Sequence, residues 1–227
     1  MKHKDELDHQ IKYWDKVAHE KSFTHPVKFD LFFELLSEDA KILDYGCGYG
    51  RTCAELVDHG YGNVIGVDIS HEMIKRGKSL FPDLELLHVA PGPLSFEVGT
   101  FDACILFGIL TCIPTDKGQH RLIDEMRRML KPGGLLYISD YPIQSDERNQ
   151  MRYQEFQHEY GKFGVFQLPE GGIFRHHDLN WIHDLLKNFK ILTIDQFKGI
   201  TMNGHEAEVF QVLAQAYCFA MSNFRKG

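Results

Sequence analysis

The sequence predicts a single α/β domain built on a mostly parallel β-sheet with helices on both faces. Residues 42–45 form a short apolar run that breaks into alternating glycines and continues as a helical pattern. Such a run is typical of a buried strand that feeds a tight turn. Further apolar runs at 63–67, 84–89 and 101–107 alternate with amphipathic segments, which is the pattern of βαβ units. The run at 101–107 is largely apolar, as expected for a strand buried on both faces.

Helices are predicted before and between these strands. The first covers about residues 7–18, where Leu7, Ile11, Trp14 and Ala18 fall on one face. Trp14 is therefore interpreted as a core aromatic, and Tyr13, off that stripe, as the better candidate for a ligand contact. The other predicted helices cover 27–36, 51–58, a segment that begins after Ser70 as N-cap, and 116–130.

The pattern changes after a fifth strand at 135–139. Residues 141–175 are rich in aromatic residues, Gln, Glu and Gly and show no βα rhythm, which indicates an insertion over the carboxyl end of the sheet. A helix at 178–188 and an alternating pair of strands at 189–197 and 207–214 close the domain. The turn between these strands is predicted at Asn203–Gly204, and residues 221–227 are expected to be a frayed end. At 227 residues the chain accommodates one such domain.

Composition limits the class of protein. The net charge is −7, which argues against a large nucleic-acid-binding surface. No apolar run is long enough for a membrane span, and the charged N-terminus lacks a signal peptide's apolar core. The five cysteines are scattered without C-x-x-C spacing, so neither a zinc site nor a disulfide framework is predicted. We expect a cytoplasmic protein with no metal, nucleic-acid or membrane partner.

The main chemical signal is the stretch from Asp44 to Gly50, followed by Asp68 at the end of the next strand. Ligands of open α/β sheets bind beyond the carboxyl ends of the strands. Gly46 and Gly48 remove side chains, so the backbone can approach a ligand closely. Asp68 presents two acceptor oxygens to a pair of ribose hydroxyls. These features suit NAD as well as S-adenosylmethionine.

Two residues favour S-adenosylmethionine. The dinucleotide fingerprint needs a third glycine after two intervening residues, and Arg51 stands there instead. The turn is also preceded by Asp44, whose carboxylate would repel a pyrophosphate but suits a ligand with an ammonium and a sulfonium.

Four segments in order resemble the class I S-adenosylmethionine-dependent methyltransferase family, specifically its type 11/12 domains. They are residues 42–50, residues 64–70 with Met73, residues 101–113 and residues 129–134. The resemblance implies a Rossmann-like three-layer sandwich with a mostly parallel seven-stranded sheet, an antiparallel last strand and helices on both faces. It also implies methyl transfer to a small-molecule acceptor at an oxygen or nitrogen nucleophile.

The same resemblance implies the cofactor-binding residues. Residues 1–26 would form a lid helix, and residues 141–175 a cap over the acceptor site. The expected cofactor contacts are Tyr13, Asp44, Tyr45, Gly46, Cys47, Gly48, Asp68, Ile69, Met73, Val89, Ala90, Phe107 and Gly108.

One position departs from the family pattern. Members often carry an Asp after the third strand that meets the adenine amino group, and Ala90 stands about there. Backbone groups near Val89 and Ala90, with Ile69 against the ring, would hold adenine instead. The departure leaves open a pseudo-enzyme or regulatory module that binds the cofactor without turnover. An NAD-dependent oxidoreductase is a more remote alternative.

Catalysis needs no dedicated residue, because positioning an activated methyl group against its nucleophile lowers much of the barrier. If a general base assists, the candidates are Asp140 at the end of the fifth strand and His176, with His177 beside it. Asp140 is equally suited to capping the following turn. The alternative for His176 and His177 is a surface or core position without a catalytic role.

Motif absences narrow the acceptor. No Asn/Asp-Pro-Pro-Tyr follows the fourth strand, Cys112 is not preceded by proline, and no glutamate pair follows that strand. These absences argue, in turn, against enzymes that methylate exocyclic amines of nucleic acids, enzymes that methylate C5 of cytosine, and protein arginine methylases. Six aromatic residues either line an apolar acceptor pocket or form the insertion's own core: Tyr153, Phe156, Tyr160, Phe163, Phe166 and Phe174. The sequence leaves open whether the protein is a monomer or a homodimer.

Overall fold

The computed structural model describes residues 7–23 and 30–218. Its helices are α1 (Ile11–Val17), α2 (Asp30–Leu35), α3 (Arg51–Asp58), α4 (His71–Leu80), α5 (Asp116–Met129), α6 (Glu147–Tyr160) and α7 (Leu179–Leu185), with a short 3₁₀ turn at Leu110–Cys112. Its strands are β1 (Ile42–Tyr45), β2 (Val64–Asp68), β3 (Glu85–His88), β4 (Phe101–Phe107), β5 (Leu130–Asp140), β6 (Val165–Gln167), β7 (Ile173–Arg175), β8 (Phe189–Ile200) and β9 (Glu206–Ala216).

Seven strands form one sheet in the order β3-β2-β1-β4-β5-β9-β8. Neighbours from β3 to β5 are parallel, and β9 runs antiparallel to both β5 and β8. The predicted fold class, a mostly parallel seven-stranded sheet with an antiparallel last strand, is confirmed. Strands β6 and β7 form a separate two-stranded hairpin.

The central strands are apolar on both faces because each face has its own core. Leu43 and Leu106 belong to the cluster that packs against α5 and α7. Their neighbours Ile42 and Ile105 point to the opposite cluster, which includes residues of α2 and α3. Successive side chains of a strand alternate between faces, so burial of both faces requires an unbroken apolar run.

The N-terminal helix is shorter than predicted. The pattern predicted a helix over residues 7–18, but α1 begins at Ile11. Gln10 adopts a left-handed conformation with φ of 45°, which interrupts the helix. Its side-chain amide donates to the carbonyls of Ile173 (2.7 Å) and Cys112 (3.0 Å), and its oxygen accepts from the Ile173 N–H. Long-range hydrogen bonds therefore override the local periodicity.

Two other predictions reach beyond the described residues. Residues 27–29 of the predicted second helix and the predicted frayed end at 221–227 lie outside them. The turn predicted at Asn203–Gly204 is confirmed, since the Thr201 N–H donates to the His205 carbonyl across it.

The insert, residues 141–175, contains α6 and the β6–β7 hairpin. Its aromatic residues Tyr153, Phe166 and Phe174 form a buried cluster with Tyr13 and Val17 of α1. The insert thus has its own apolar core, and α1 completes it. No helix within residues 7–23 and 30–218 has the length and apolarity needed to cross a membrane.

Candidate cofactor and acceptor site

A cavity of about 1250 Å³ opens at the carboxyl ends of β1, β2 and β4. Its floor is the glycine turn after β1, and its far wall is the insert. Eleven of the thirteen expected cofactor contacts line it; Tyr13 and Ala90 do not. Their roles in binding remain predictions.

The glycine turn needs glycine at two positions. Gly46 and Gly48 have φ of 73° and 56°, values that other residues rarely adopt. A Cβ at Gly46 would lie 2.2 Å from the Ile109 side chain, and one at Gly48 2.5 Å from the Phe23 ring. The N–H groups of Gly46 and Cys47 donate to the Val67 carbonyl, which holds the turn against β2. The backbone is therefore the surface that a ligand meets here.

Asp68 is held rigidly at the end of β2. One carboxylate oxygen accepts the Gly48 N–H at 2.8 Å, and the other accepts the Ser70 N–H at 2.7 Å. Burial raises the pKa of this carboxyl, and these two N–H donors oppose the rise. Each oxygen retains a second lone pair, so the arrangement suits a ribose diol. Ser70 is the N-cap of α4 as predicted, because its Oγ accepts the Met73 N–H.

Asp44 lies in the floor of the cavity with 1% of its surface exposed. Burial raises its pKa to about 7, although the Cys53 thiol and Arg51 act in the opposite direction. The Cys53 Sγ donates to an Asp44 oxygen at 3.3 Å. A buried carboxylate without a full counter-charge favours a cationic ligand.

The N-terminal segment, residues 7–23, closes over the glycine turn. Phe23 stacks on Tyr49 with ring centroids 5.1 Å apart. The Asp15 carboxylate accepts from the Ser70 hydroxyl at 2.7 Å, which fixes α1 over the start of α4. The Arg76 guanidinium donates to the Ala18 and Lys21 carbonyls at 2.7 Å each.

The two aromatic residues of α1 lie differently from the sequence interpretation. Trp14, interpreted as a core residue, lines the cavity while packing against the aromatic clusters on either side. Tyr13 is 8% exposed and packs edge-on against Phe174, outside the cavity lining. Its hydroxyl has no hydrogen-bond partner among the described residues. A cofactor contact through Tyr13 therefore gains no support from this geometry.

Asp140 is fully buried and does not line the cavity. Its oxygens accept the N–H groups of Thr111 at 3.1 Å and Tyr141 at 2.9 Å, so it fixes the turn after β4. Burial raises its pKa to about 7. His177 is also buried, with Nδ1 3.1 Å from the Tyr141 carbonyl and Nε2 2.9 Å from the Gln119 amide nitrogen. These contacts give Asp140 and His177 positioning roles rather than access to an acceptor.

His176 is the one of the three candidate bases that lines the cavity. Its Nδ1 is 2.5 Å from the Tyr153 hydroxyl, and its ring stacks on Tyr141. Burial, reinforced by the nearby Arg152, lowers the pKa of His176 well below its usual value. The imidazole is therefore neutral near pH 7.

The positive charge of the far wall was not predicted from the sequence. Arg148 and Arg152 of α6 both line the cavity. They stand four residues apart, and residues at that spacing share one face of a helix. That spacing was the available signal, but nothing local to α6 shows which face meets the cavity.

The residues present fit S-adenosylmethionine. The glycine turn leaves room for close backbone contact, Asp68 has free acceptor capacity and Asp44 complements positive charge. Ile69, Met73 and Val89 line the cavity beside Asp68, where an adenine ring needs apolar contacts. Asp124 of α5 also lines the cavity. Among the described residues, no group of three or more His, Cys, Asp or Glu is arranged to hold a metal ion.

Comparisons with known proteins agree with this fit. A methyltransferase-domain model matches residues 42–134. A solved S-adenosylmethionine-dependent methyltransferase from Methanosarcina mazei is 27% identical with a TM-score of 0.79, over 85% of this chain and 99% of that one.

Curated relatives match a smaller part. A probable methyltransferase, ltbC, from Aspergillus luteorubrus is 33% identical over 44% of this chain and 39% of its own length. A demethylmenaquinone methyltransferase from Beutenbergia cavernae is 34% identical over 44% of this chain and 40% of its own length. The chain thus spans about two fifths of the curated relatives that it matches. From the ordered motifs, the strand order and the cavity floor, together with these similarities, we conclude that the chain carries a methyltransferase domain of the class I S-adenosylmethionine-dependent type, whose cofactor is S-adenosylmethionine.

Proposed function

We propose that this protein transfers the methyl group of S-adenosylmethionine to an oxygen or nitrogen atom of a small organic molecule. The observation that carries the proposal is the continuity of the cavity, which runs from the glycine turn and Asp68 to Trp14, Phe166 and Phe174. A cavity of about 1250 Å³ exceeds the usual size of a single-ligand pocket and accommodates a cofactor and an acceptor together.

The chain's residues would act by binding and orientation. Asp68 would hold the ribose hydroxyls, and Asp44 with the glycine turn would hold the methionine end. Phe107 and Gly108, which also line the cavity, would lie under the sulfonium. When bound, the cofactor supplies a methyl group that is already activated by its sulfonium. Alignment of an acceptor against such a group provides about 7–11 kcal/mol of barrier lowering in well-oriented reactions.

The proposed lid is residues 1–26, of which the described part is residues 7–23. The proposed acceptor cap is the insert, residues 141–175. Both contribute apolar surface to the cavity through Trp14, Phe23, Phe166 and Phe174. Exclusion of water by this surface would protect the methyl group from hydrolysis and strengthen the electrostatic contacts.

Proton removal has a minor part in this proposal. Asp140 does not reach the cavity, and His176 is the remaining candidate base from the sequence. An acceptor whose nucleophile is ionised in solution, or loses its proton to water after transfer, suits a site of this kind.

Calorimetry with S-adenosylhomocysteine and S-adenosylmethionine tests cofactor binding. We expect one site per chain, lost in Asp68→Ala and retained in the control Asp83→Asn, an exposed carboxylate at the other end of the sheet. Absence of binding in the wild-type protein would overturn the proposal. Stabilisation by NADH without stabilisation by S-adenosylhomocysteine would replace it with an oxidoreductase.

An acceptor screen tests turnover. The wild-type protein is incubated with radiolabelled S-adenosylmethionine and a cell extract, which is then separated by size. We expect label in the small-molecule fraction together with release of S-adenosylhomocysteine. Label in protein or nucleic acid alone would contradict a small-molecule acceptor. Cofactor binding with no transfer to any fraction would favour the pseudo-enzyme alternative.

A further inference from the structure

We infer that the acceptor carries a carboxylate, bound at the far wall of the cavity by the Arg152 guanidinium and the Nε2–H of His176. This inference rests on the proposed methyl transfer and names the chemical class of its acceptor. It depends on three features: the charge of α6, the tautomer of His176 and the apolar surroundings of both side chains.

The first feature is an arginine without a counter-ion. Arg148 lies 3.9 Å from an Asp146 oxygen, which partly balances its charge. Arg152 makes no ion pair with a described carboxylate, and its Nε is buried without a hydrogen-bond partner. The guanidinium carbon lies over the Phe166 ring, 3.5 Å from the ring centroid.

Burial makes this charge costly. Desolvation lowers the pKa of Arg152 to about 10, although its neighbour Tyr153 opposes the shift. A partly buried cation with an unsatisfied donor is stabilised by an anion that supplies both charge and acceptor atoms. Since both Arg148 and Arg152 line the cavity, an acceptor that enters it can supply that anion.

The second feature is the direction of the Tyr153 hydroxyl proton. The Tyr153 oxygen accepts the Gln144 N–H at 3.2 Å and interacts with the Arg152 guanidinium. Its acceptor capacity is thus engaged, and its own proton points to the remaining neighbour, His176 Nδ1, at 2.5 Å. Burial also raises the pKa of Tyr153 to about 12, so the phenol keeps this proton.

This network assigns the tautomer of His176. A neutral imidazole that accepts at Nδ1 carries its proton on Nε2. No described residue is hydrogen-bonded to Nε2, and the side chain lines the cavity. His176 therefore offers a hydrogen-bond donor to a ligand, rather than the lone pair that a general base requires.

The third feature is the apolar surface around these two donors. Phe166, Leu168, Phe174 and Met202 line the same part of the cavity. One cation and one neutral donor match a singly charged group, and arginine's planar fork matches the two oxygens of a carboxylate. The acceptor is thus an organic acid with an apolar body.

Matched ligand pairs test the inference. Hydroxylated and aminated aryl carboxylates are compared with their methyl esters and with aryl phosphate monoesters. For each compound we measure the release of S-adenosylhomocysteine during turnover. We also measure the affinity of the compound for the complex of the protein with S-adenosylhomocysteine. We expect carboxylates to bind and react in preference to the esters. Arg152→Met should raise the KM or Kd of the carboxylate about 10- to 100-fold and leave that of the ester unchanged.

Control variants distinguish a failure of the carboxylate inference from a failure of the proposed methyl transfer. Glu155→Gln, exposed on the same helix, should leave both ligands unaffected. The affinity of Arg152→Met for S-adenosylhomocysteine should stay within about twofold of wild type, because Arg152 belongs to α6 of the insert and not to the glycine turn or β2. Arg152→Lys should restore part of the preference for the acid. If the wild-type protein does not bind S-adenosylhomocysteine, the result counts against the proposed methyl transfer itself.

Several results would overturn the carboxylate assignment. These are esters that react as well as acids, phosphate monoesters preferred to carboxylates, or an equal loss for acid and ester in Arg152→Met. If none of the compounds reacts, the binding measurement decides: carboxylates with no affinity at millimolar concentration contradict the inference. A ¹⁵N NMR spectrum that places the His176 proton on Nδ1 would contradict the donor role.

Discussion

Burial of single polar side chains sets the chemistry of the cavity floor. Asp44 and Asp68 lie at the ends of adjacent strands, and the sequence placed both of them in the site. Their functions differ because their partners differ. Asp68 has two backbone N–H donors that hold its carboxylate, whereas Asp44 has one weak thiol donor and a raised pKa. We therefore expect the charge of Asp44 to depend on the presence of a cationic ligand.

Asp44→Asn tests this dependence. The wild-type pKa of about 7 exceeds the unfolded value, so the Asp44 contribution to stability is lost as pH rises through about 7. Between pH 5 and pH 8, the free energy of unfolding should fall less in the variant than in the wild-type protein. The difference between the two falls should be on the order of 2 kcal/mol. S-adenosylmethionine binding should weaken at least tenfold at pH 8. Urea unfolding and calorimetry measure both effects.

Asp83→Asn is the control for this experiment, because that side chain is exposed. A variant with unchanged cofactor affinity at pH 8 would contradict the proposed contact between Asp44 and the cationic end of the cofactor.

Alanine variants at two glycines with positive φ distinguish the effect of backbone strain from that of steric contact. Gly48 and Gly60 have φ of 56° and 95°, so alanine strains the backbone at either position. A Cβ at Gly48 also meets Phe23 at 2.5 Å, whereas a Cβ at Gly60 meets nothing within 4 Å. We expect each alanine variant to lose about 1–2 kcal/mol of stability. Only Gly48→Ala should also weaken S-adenosylhomocysteine binding, measured by calorimetry; an equal weakening in Gly60→Ala would contradict the steric argument.

Whole elements reach the site through contacts between distant segments. Lys21 donates to Glu170 at 2.9 Å and to Asn203 at 2.6 Å, which joins the N-terminal segment to the insert and to the β8–β9 turn. Gln144 joins the insert to β9 through hydrogen bonds with both the carbonyl and the N–H of Glu208. The N-terminal segment, insert and β8–β9 turn therefore close the cavity together.

Lys21→Ala should loosen this closure. Lys21 is 13% and Glu170 30% exposed, so their ion pair contributes about 1 kcal/mol. We therefore expect S-adenosylhomocysteine affinity to fall about two- to fivefold. Amide hydrogen exchange in residues 11–17 should become faster in the complex. Lys75→Ala is the control, because Lys75 is 66% exposed and its ion pair among the described residues is with Glu72 of the same helix. Unchanged exchange and affinity in Lys21→Ala would show that other contacts suffice to hold the segment.

The whole molecule should respond to the cofactor as one cooperative unit. The sheet, the N-terminal segment and the insert all border the cavity, so a bound cofactor contacts several elements. S-adenosylhomocysteine at about one hundred times its Kd should raise the free energy of unfolding by about 2.7 kcal/mol. Thermal unfolding followed at several ligand concentrations checks this. A transition of the insert that is separate from that of the sheet would contradict a single unit.

The sequence by itself determined the βαβ core, the glycine turn, the acid at the end of β2 and the cofactor class. These features are local, because strand alternation, turn glycines and N-caps depend on residues close in the chain. Tertiary structure alone decided that Trp14 rather than Tyr13 borders the cavity. Helix α1 packs between α4 and the insert, so an apolar stripe does not identify its buried side. It also decided that Asp140 is buried, that His176 Nδ1 lies beside the Tyr153 hydroxyl and that Arg152 lines the cavity. These properties depend on partners distant in the sequence.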